Sequence, residues 1–218
     1  MSDALAGHPL LRRWLAGELT GAELRAFASE HYHVICALER AARLAAEQAD
    51  GLLAASLLRY ADECRESVGP WCEFASATGW GSAWYFGEDP LPETVACTEA
   101  IVGEERSLAE HLVTIQALES GFAELAPGQH DALLDRYGFA EADARYFAVS
   151  VEQSARAAAT AEAGLIGLGA GADTAHELFI QRSYLALLDA AEDSGLGGQP
   201  GFGRDRQADE AERQRQPI

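Results

Sequence analysis

The sequence predicts an all-α protein, one bundle of seven helices, and three observations lead there. Apolar residues recur at i, i+3, i+4 and i+7 nearly from end to end, the period of helices with one buried face. Residues that start and stop helices, among them Thr20 with Glu23, Pro92 and Gly138, fall between the periodic stretches. No stretch shows the period of two that a half-buried strand requires.

The elements follow in order. His8 to Glu18 reads as a short lead helix. Thr20, with Glu23 three residues on, forms a capping box that opens a long helix from about Gly21 to Ala49. A third helix covers about Leu52 to Val68, and Pro70 can start its continuation through Thr78. The stretch GWGSAWYFGEDPLP, residues 79–92, reads as a loop folded onto the body. Pro92 and Glu93 open a helix to about Phe122, followed by a short one from His130 to Tyr137. A long helix from about Glu141 to Leu168 and a last one from about Thr174 to Glu192 flank a Gly-rich break. From Ser194 the apolar content almost vanishes, so residues 1–193 are expected to form the domain and 194–218 a disordered tail.

Composition narrows the function classes. At 48% apolar residues the chain is globular, and no apolar run reaches the ~18–20 residues that cross a bilayer. The N-terminus MSDALAGHPLL lacks the features of a signal peptide, so a cytoplasmic protein is expected. All 16 basic residues are Arg against 35 acidic ones, for a net charge of −19. Without Lys there is no lysine Schiff-base chemistry, and the charge argues against nucleic acid or an anionic membrane as partner. The four cysteines show no CxxC spacing, and Cys36 and Cys64 read as core thiols.

The apolar stripes carry polar residues. His31 sits at the centre of the second helix stripe (Leu24, Phe27, Val34, Ile35, Leu38, Ala42), with Glu30 on its flank. Tyr60 and Cys64 lie on the third stripe, with Glu63 at its edge. Glu104, His111 and Glu119 share the face of Ile101, Leu108, Leu112, Ile115 and Leu118. Glu104 and Glu119 are ~22 Å apart along one helix axis and cannot share a site, whereas His111 and Glu119, ~12 Å apart, can border one elongated cavity. Ser150, Ser154 and Ala157 fall on the stripe of Phe147, Val151, Ala158, Ala161 and Leu165. Each has a plain explanation: a core histidine bonded to a carbonyl, a serine back-bonding to the preceding turn. Buried carboxylates are harder to dismiss, since an unpaired one costs several kcal/mol. Together these groups point to a polar pocket between helices.

The segment HPLLRRWLAGELTGAELRAFASEHYHVICALERAARLAA resembles the opening helices of the haem-oxygenase-like superfamily, the group of TenA, PqqC and the CADD-type diiron oxidases. WCEFASATGW is similar to that group's Trp-x-x-Phe-Ala-x-Ala-x-Gly segment. IQALESGFAELAPGQHDALLDRYGFAEADARYFAVSVEQSARAA resembles the block in which a helix ending in Glu leads through a Tyr-Gly turn to Tyr-Phe-x-x-His. The resemblance covers about residues 8–190 and implies the seven-helix bundle, a homodimer and an oxidoreductase in biosynthesis. In the metal-binding branch the last block carries three ligands at positions that are here Ser150, Ser154 and Ala157. Of the set, Glu119 remains, and no His occurs between His33 and His111. In the thiaminase branch the nucleophilic Cys would fall near Thr114 and Ile115, where there is no thiol.

The expectation is a small-molecule-modifying enzyme, a PqqC-like metal-independent oxidase or oxygenase acting on a small substrate with dioxygen. Glu119, His111, Glu30 and His31 are its candidate acid/base residues. His33, Tyr60, Glu63, Tyr146, Ser150, Ser154 and Tyr184 are its candidate substrate contacts. No residue is assigned to a metal and no cofactor is expected. The alternatives are a non-catalytic binding or scaffold protein, a TenA-like hydrolase, and a relocated single non-haem iron on His31, His111 and carboxylates.

Overall fold

The computed structural model describes residues 5–79, 89–170 and 173–196, which hold seven helices and no strand. They are α1 (Pro9–Ala16), α2 (Gly21–Gln48), α3 (Gly51–Ala77), α4 (Pro92–Val102), α5 (Leu108–Asp135), α6 (Glu141–Gly167) and α7 (Thr174–Leu196). α2 packs along α3 and α5 along α6; α3 closes on α6, while α4 and α7 lie against α2 and each other. None of these helices is long and apolar enough to cross a membrane. Most of the expected 79–92 loop and the segment 197–218 lie outside the described residues.

Local chemistry sets the helix starts. The Thr20 side chain accepts from the Glu23 N–H at 3.2 Å, and Glu23 accepts from the Thr20 N–H at 2.7 Å, the reciprocal box expected at the start of α2. The far carboxylate oxygen of Glu23 meets Arg13 at 2.7 Å, and Arg13 also holds Glu192 at 2.8 Å, tying α1, α2 and α7. Trp71 of α3 donates its indole N–H to the Ala28 carbonyl of α2 at 2.9 Å, so the buried ring also meets its polar demand.

Three boundaries differ from the expected ones. The helix opened by Pro92 does not run to Phe122; it stops at Val102. Gly103 takes φ +43°, the left-handed conformation that ends a helix, and Arg106 covers the Ala100 carbonyl. Ser107 then starts α5 with its own capping box, paired with Glu110. Glu104 is consequently on the surface, paired with Arg40, and shares no face with Glu119. The separate short helix from His130 is instead the end of α5, which continues through Pro127. Proline removes one donor there, but Leu125, Ala126, Gln129 and Leu133 are buried on both sides of it, and tertiary burial outweighs local propensity. α3 likewise continues through Pro70. α7 runs to Leu196, past the expected end at Glu192, because Gly195 packs against Glu23; a Cβ at Gly195 would stand 2.6 Å from the Glu23 Cα.

Candidate functional site

The interior between α2, α3, α5 and α6 contains a cavity of about 30 Å³, room for roughly one or two waters. α2 gives it His31, Ile35 and Leu38, and α3 gives Tyr60, Glu63, Cys64 and Ser67, one face at i, i+3, i+4 and i+7. α5 contributes Glu119 and Phe122; α6 contributes Tyr146, Ser150, Gln153 and Ser154. A second void of about 20 Å³ adjoins it, sharing His31, Phe122, Tyr146 and Ser150 and reaching Tyr184.

Glu119 is the chemical centre. Its carboxyl is fully buried and accepts hydrogen bonds from the Tyr60 hydroxyl and from Ser154. Burial raises its pKa, and those two hydrogen bonds offset only part of the rise. Tyr60 also shares a hydrogen bond with the Cys64 thiol, so Cys64, Tyr60, Glu119 and Ser154 form one chain of polar groups. Burial pushes both the thiol and the phenol well above their ordinary pKa values. In this chain the carboxyl, rather than the phenol or the thiol, is the group suited to give and take a proton.

His31 stands beside it in an aromatic cage. Its ring stacks on Phe27 at 5.1 Å and meets the rings of Trp71 at 4.9 Å, Phe122 at 5.2 Å and Tyr184 at 5.9 Å. Nδ1 shares a 3.0 Å hydrogen bond with the Tyr184 hydroxyl. Burial lowers the His31 pKa to about 3, so the imidazole is neutral at physiological pH.

The structure thus brings together His31, Tyr60, Glu63, Glu119, Tyr146, Ser150 and Ser154 around one cavity, with Tyr184 on the adjoining void. Ser150 also makes the plain back-bond, donating to the Phe147 carbonyl at 3.0 Å. Three candidates are elsewhere. Glu30 accepts from the Leu91 N–H at 3.1 Å and the Thr94 hydroxyl at 2.5 Å, holding the start of α4 against α2. His33 is half-buried on another face of α2, where burial lowers its pKa against the opposing pull of Glu30. His111 is 0% exposed and neither ring nitrogen has a hydrogen-bond partner among the described residues. Burial lowers the His111 pKa, and so do the neighbouring Arg106 and His176.

Sequence reasoning passed over Gln153, Ser67 and Arg156. Ser67 donates to Gln153 at 3.2 Å across α3 and α6, and Arg156 donates to Glu63 at 2.8 Å. The signal for Ser67 was its position one turn beyond Glu63 and Cys64; Gln153 and Arg156 lie off the apolar stripe and gave none.

No family model matches the sequence, and no curated protein matches it in sequence. Solved structures do match it. A TenA homologue from P. horikoshii OT3 superposes with a TM-score of 0.71 at 16% identity, over 88% of this chain and 92% of that one. A domain of unknown function with a heme oxygenase-like fold from Shewanella denitrificans OS217 gives 0.74 at 14% identity, over 87% of this chain and 85% of that one. The fold is haem-oxygenase-like. A TenA homologue from Pseudomonas syringae pv. tomato extends the likeness, with a TM-score of 0.67 at 13% identity over 89% and 86% of the two chains.

Within this haem-oxygenase-like bundle the residues do not fit a diiron centre. The three α6 positions that the resemblance assigns to ligands hold Ser150, Ser154 and Ala157. A neutral hydroxyl is a weak donor for iron beside imidazole or carboxylate, and alanine offers none. Among the described residues no group of three or more His, Cys, Asp or Glu is placed to hold a metal ion. A single iron on His31 and His111 meets the same objection, because His31 lines the cavity while His111 faces Arg106 and His176.

Proposed function

We propose that the chain is a small-molecule-modifying enzyme whose chemical step is proton transfer at Glu119, working without the two irons of the superfamily's metal-binding branch. The observation that supports this reading is the Glu119 carboxyl itself, buried at a cavity, bonded by Tyr60 and Ser154, and held at a raised pKa with no cation against it among the described residues. Such a group is costly to bury, and a purely structural role would be met by a neutral amide. Tyr60 and Ser154 orient the carboxyl; neutral His31 and the surrounding rings form the wall against which a substrate lies.

The reaction we favour is a PqqC-like oxidation. Glu119 as carboxylate takes a proton from a substrate C–H or O–H, leaving an electron-rich anion. Dioxygen accepts two electrons from that anion and, with two protons, leaves as hydrogen peroxide; the substrate is oxidised by the same two electrons. A TenA-like hydrolase would use the same carboxyl without oxygen.

The test is incubation of the protein with a metabolite extract, in air and without oxygen, read by mass spectrometry. Compounds consumed by the wild type but not by Glu119→Gln support an enzyme of this mechanism. Loss of that consumption without oxygen supports the oxidase, and its persistence supports the hydrolase. If the wild type and Glu119→Gln give identical profiles, the proton-transfer reading fails and a non-catalytic binding protein takes its place.

A further inference from the structure

The cavity described above has a charge pattern that selects a ligand class, and the inference drawn from it rests on that cavity being the working site. Its lining includes two carboxyl groups, Glu63 and Glu119, and no arginine. The one titratable base in it, His31, is kept neutral by burial. The remaining wall presents aromatic faces from Tyr60, Phe122 and Tyr146. The lining itself offers an anionic ligand no cation, whereas a cationic ligand finds the Glu63 carboxyl and the negative faces of rings.

A cation already occupies the outer carboxylate. Arg156 Nη2 of α6 sits 2.8 Å from Glu63 Oε1, and Arg59 stands further off at 3.8 Å. Glu63 lines the cavity with its side chain 18% exposed, while that of Arg156 is 40% exposed, so the pair stands at the solvent edge of the cavity between α3 and α6. A half-exposed ion pair of this kind is weak and exchanges readily. At about 30 Å³ the cavity admits nothing larger than water until that edge opens.

We infer that Glu63 is the docking carboxylate for a small organic ammonium ligand and that the guanidinium of Arg156 occupies that place in the free protein. The ligand displaces Arg156, pairs its ammonium with Glu63 and lays its body against Tyr146 and Phe122. Arg156 is therefore both the closure of the cavity and the competitor that sets the affinity.

Cys64 offers a built-in reporter, since its thiol lines the same cavity and, being buried and held as thiol, reacts only slowly as that edge opens, whereas Cys97 is buried outside it. The full-length protein is treated with methyl methanethiosulfonate and the modification of Cys64 is followed by peptide mass spectrometry. Benzylamine is the probe and benzyl alcohol its uncharged isostere. Benzylamine is expected to slow Cys64 modification at concentrations where benzyl alcohol does not, with Cys97 unaffected by either. In Glu63→Gln the benzylamine protection falls to that of the alcohol, and in Glu63→Asp it is retained in part. Arg156→Gln lowers the half-protecting concentration about 3- to 10-fold, because the competitor for Glu63 is gone. Equal protection by amine and alcohol, protection that survives Glu63→Gln, or no protection by either overturns the inference. Glu119→Gln separates this result from the enzymatic proposal, since it should keep the protection while losing turnover. Turnover that depends on Glu119 without amine protection leaves the enzyme standing and removes the cation site.

Discussion

His31 and Glu119 make up one buried histidine–carboxyl set, and His111 and Glu30 make up another. All four project from the long helices into buried positions, and by pattern alone they are equivalent. The first set is joined by side chains from four helices that leave space among them. The second lines neither of those voids: Glu30 is consumed by the Leu91 N–H and Thr94 hydroxyl, and His111 is packed with no hydrogen-bond partner among the described residues. The lesson is that a polar residue on an apolar stripe marks a site only when other elements bring complementary groups and leave room. Burial alone also describes a structural tie.

The sharpest way to break the comparison is to neutralise each carboxyl. Glu119→Gln is expected to reduce turnover by about 10²- to 10⁴-fold, the range for loss of a general acid or base. Stability should move the other way. A carboxyl whose folded pKa is raised keeps its proton in the folded state while the unfolded chain ionises, so its presence lowers stability as pH rises from the ordinary carboxylate range through the raised value. The variant should therefore be relatively more stable at pH 8 than at pH 4, in urea unfolding at the two values. A variant less stable at pH 8 by several kcal/mol would show that the ionised Glu119 carboxylate holds the fold together.

Glu30→Ala should show the opposite signature. It strips two hydrogen bonds and leaves the Leu91 N–H and Thr94 hydroxyl with no acceptor, at a cost of about 2–3 kcal/mol. Turnover per folded molecule should change far less than in Glu119→Gln. Kinetics on protein confirmed as folded by circular dichroism would check this, and a loss as deep as that of Glu119→Gln would move Glu30 back into the site.

The two histidines divide by pH. Because the folded pKa of His31 is about 3 against an ordinary 6.5, the unfolded chain takes up a proton that the folded one refuses as pH falls below 6.5. Stability is lost in that window, by about 2 kcal/mol at pH 5, and His31→Gln should flatten this part of the acid slope. His111→Leu removes an imidazole that makes no hydrogen bond among the described residues, so at pH 7 it should leave stability unchanged or raise it by up to about 1 kcal/mol. A marked loss in urea unfolding would mean that His111 has a partner after all.

Much of the fold was legible because its information is local. The period, the Thr20 box and the Pro92 start depend on residues within one or two turns of one another. The cavity was legible where a polar residue lay on a stripe, as for Glu119, Tyr60 and Ser154. It was misread where the partner lies far along the chain: Glu30 and Thr94 are 64 residues apart, and nothing near Glu30 announces the tie. The edge residue Arg156 was missed because its role arises only when α6 is set beside α3. The break between α4 and α5 has a local signal of its own. Ser107 and Glu110 repeat the signature of Thr20 and Glu23, and Gly103 precedes them as a stop.

That break supplies the smallest test, and it addresses where His111 belongs. Ser107 accepts from the Glu110 N–H at 3.4 Å, and Glu110 returns a bond to the Ser107 N–H at 2.9 Å. Ser107→Ala should lower stability by about 1 kcal/mol through loss of this box. His111 is one turn into α5, whereas Glu119 is a further two turns along and is held from α3 and α6. Fraying should therefore raise amide hydrogen exchange over residues 108–112 and leave the stretch around Glu119 protected. If exchange rises equally at Glu119, the first three turns of α5 open as one unit. His111 would then be coupled to the cavity through the helix, and the separation of the two sets would not hold.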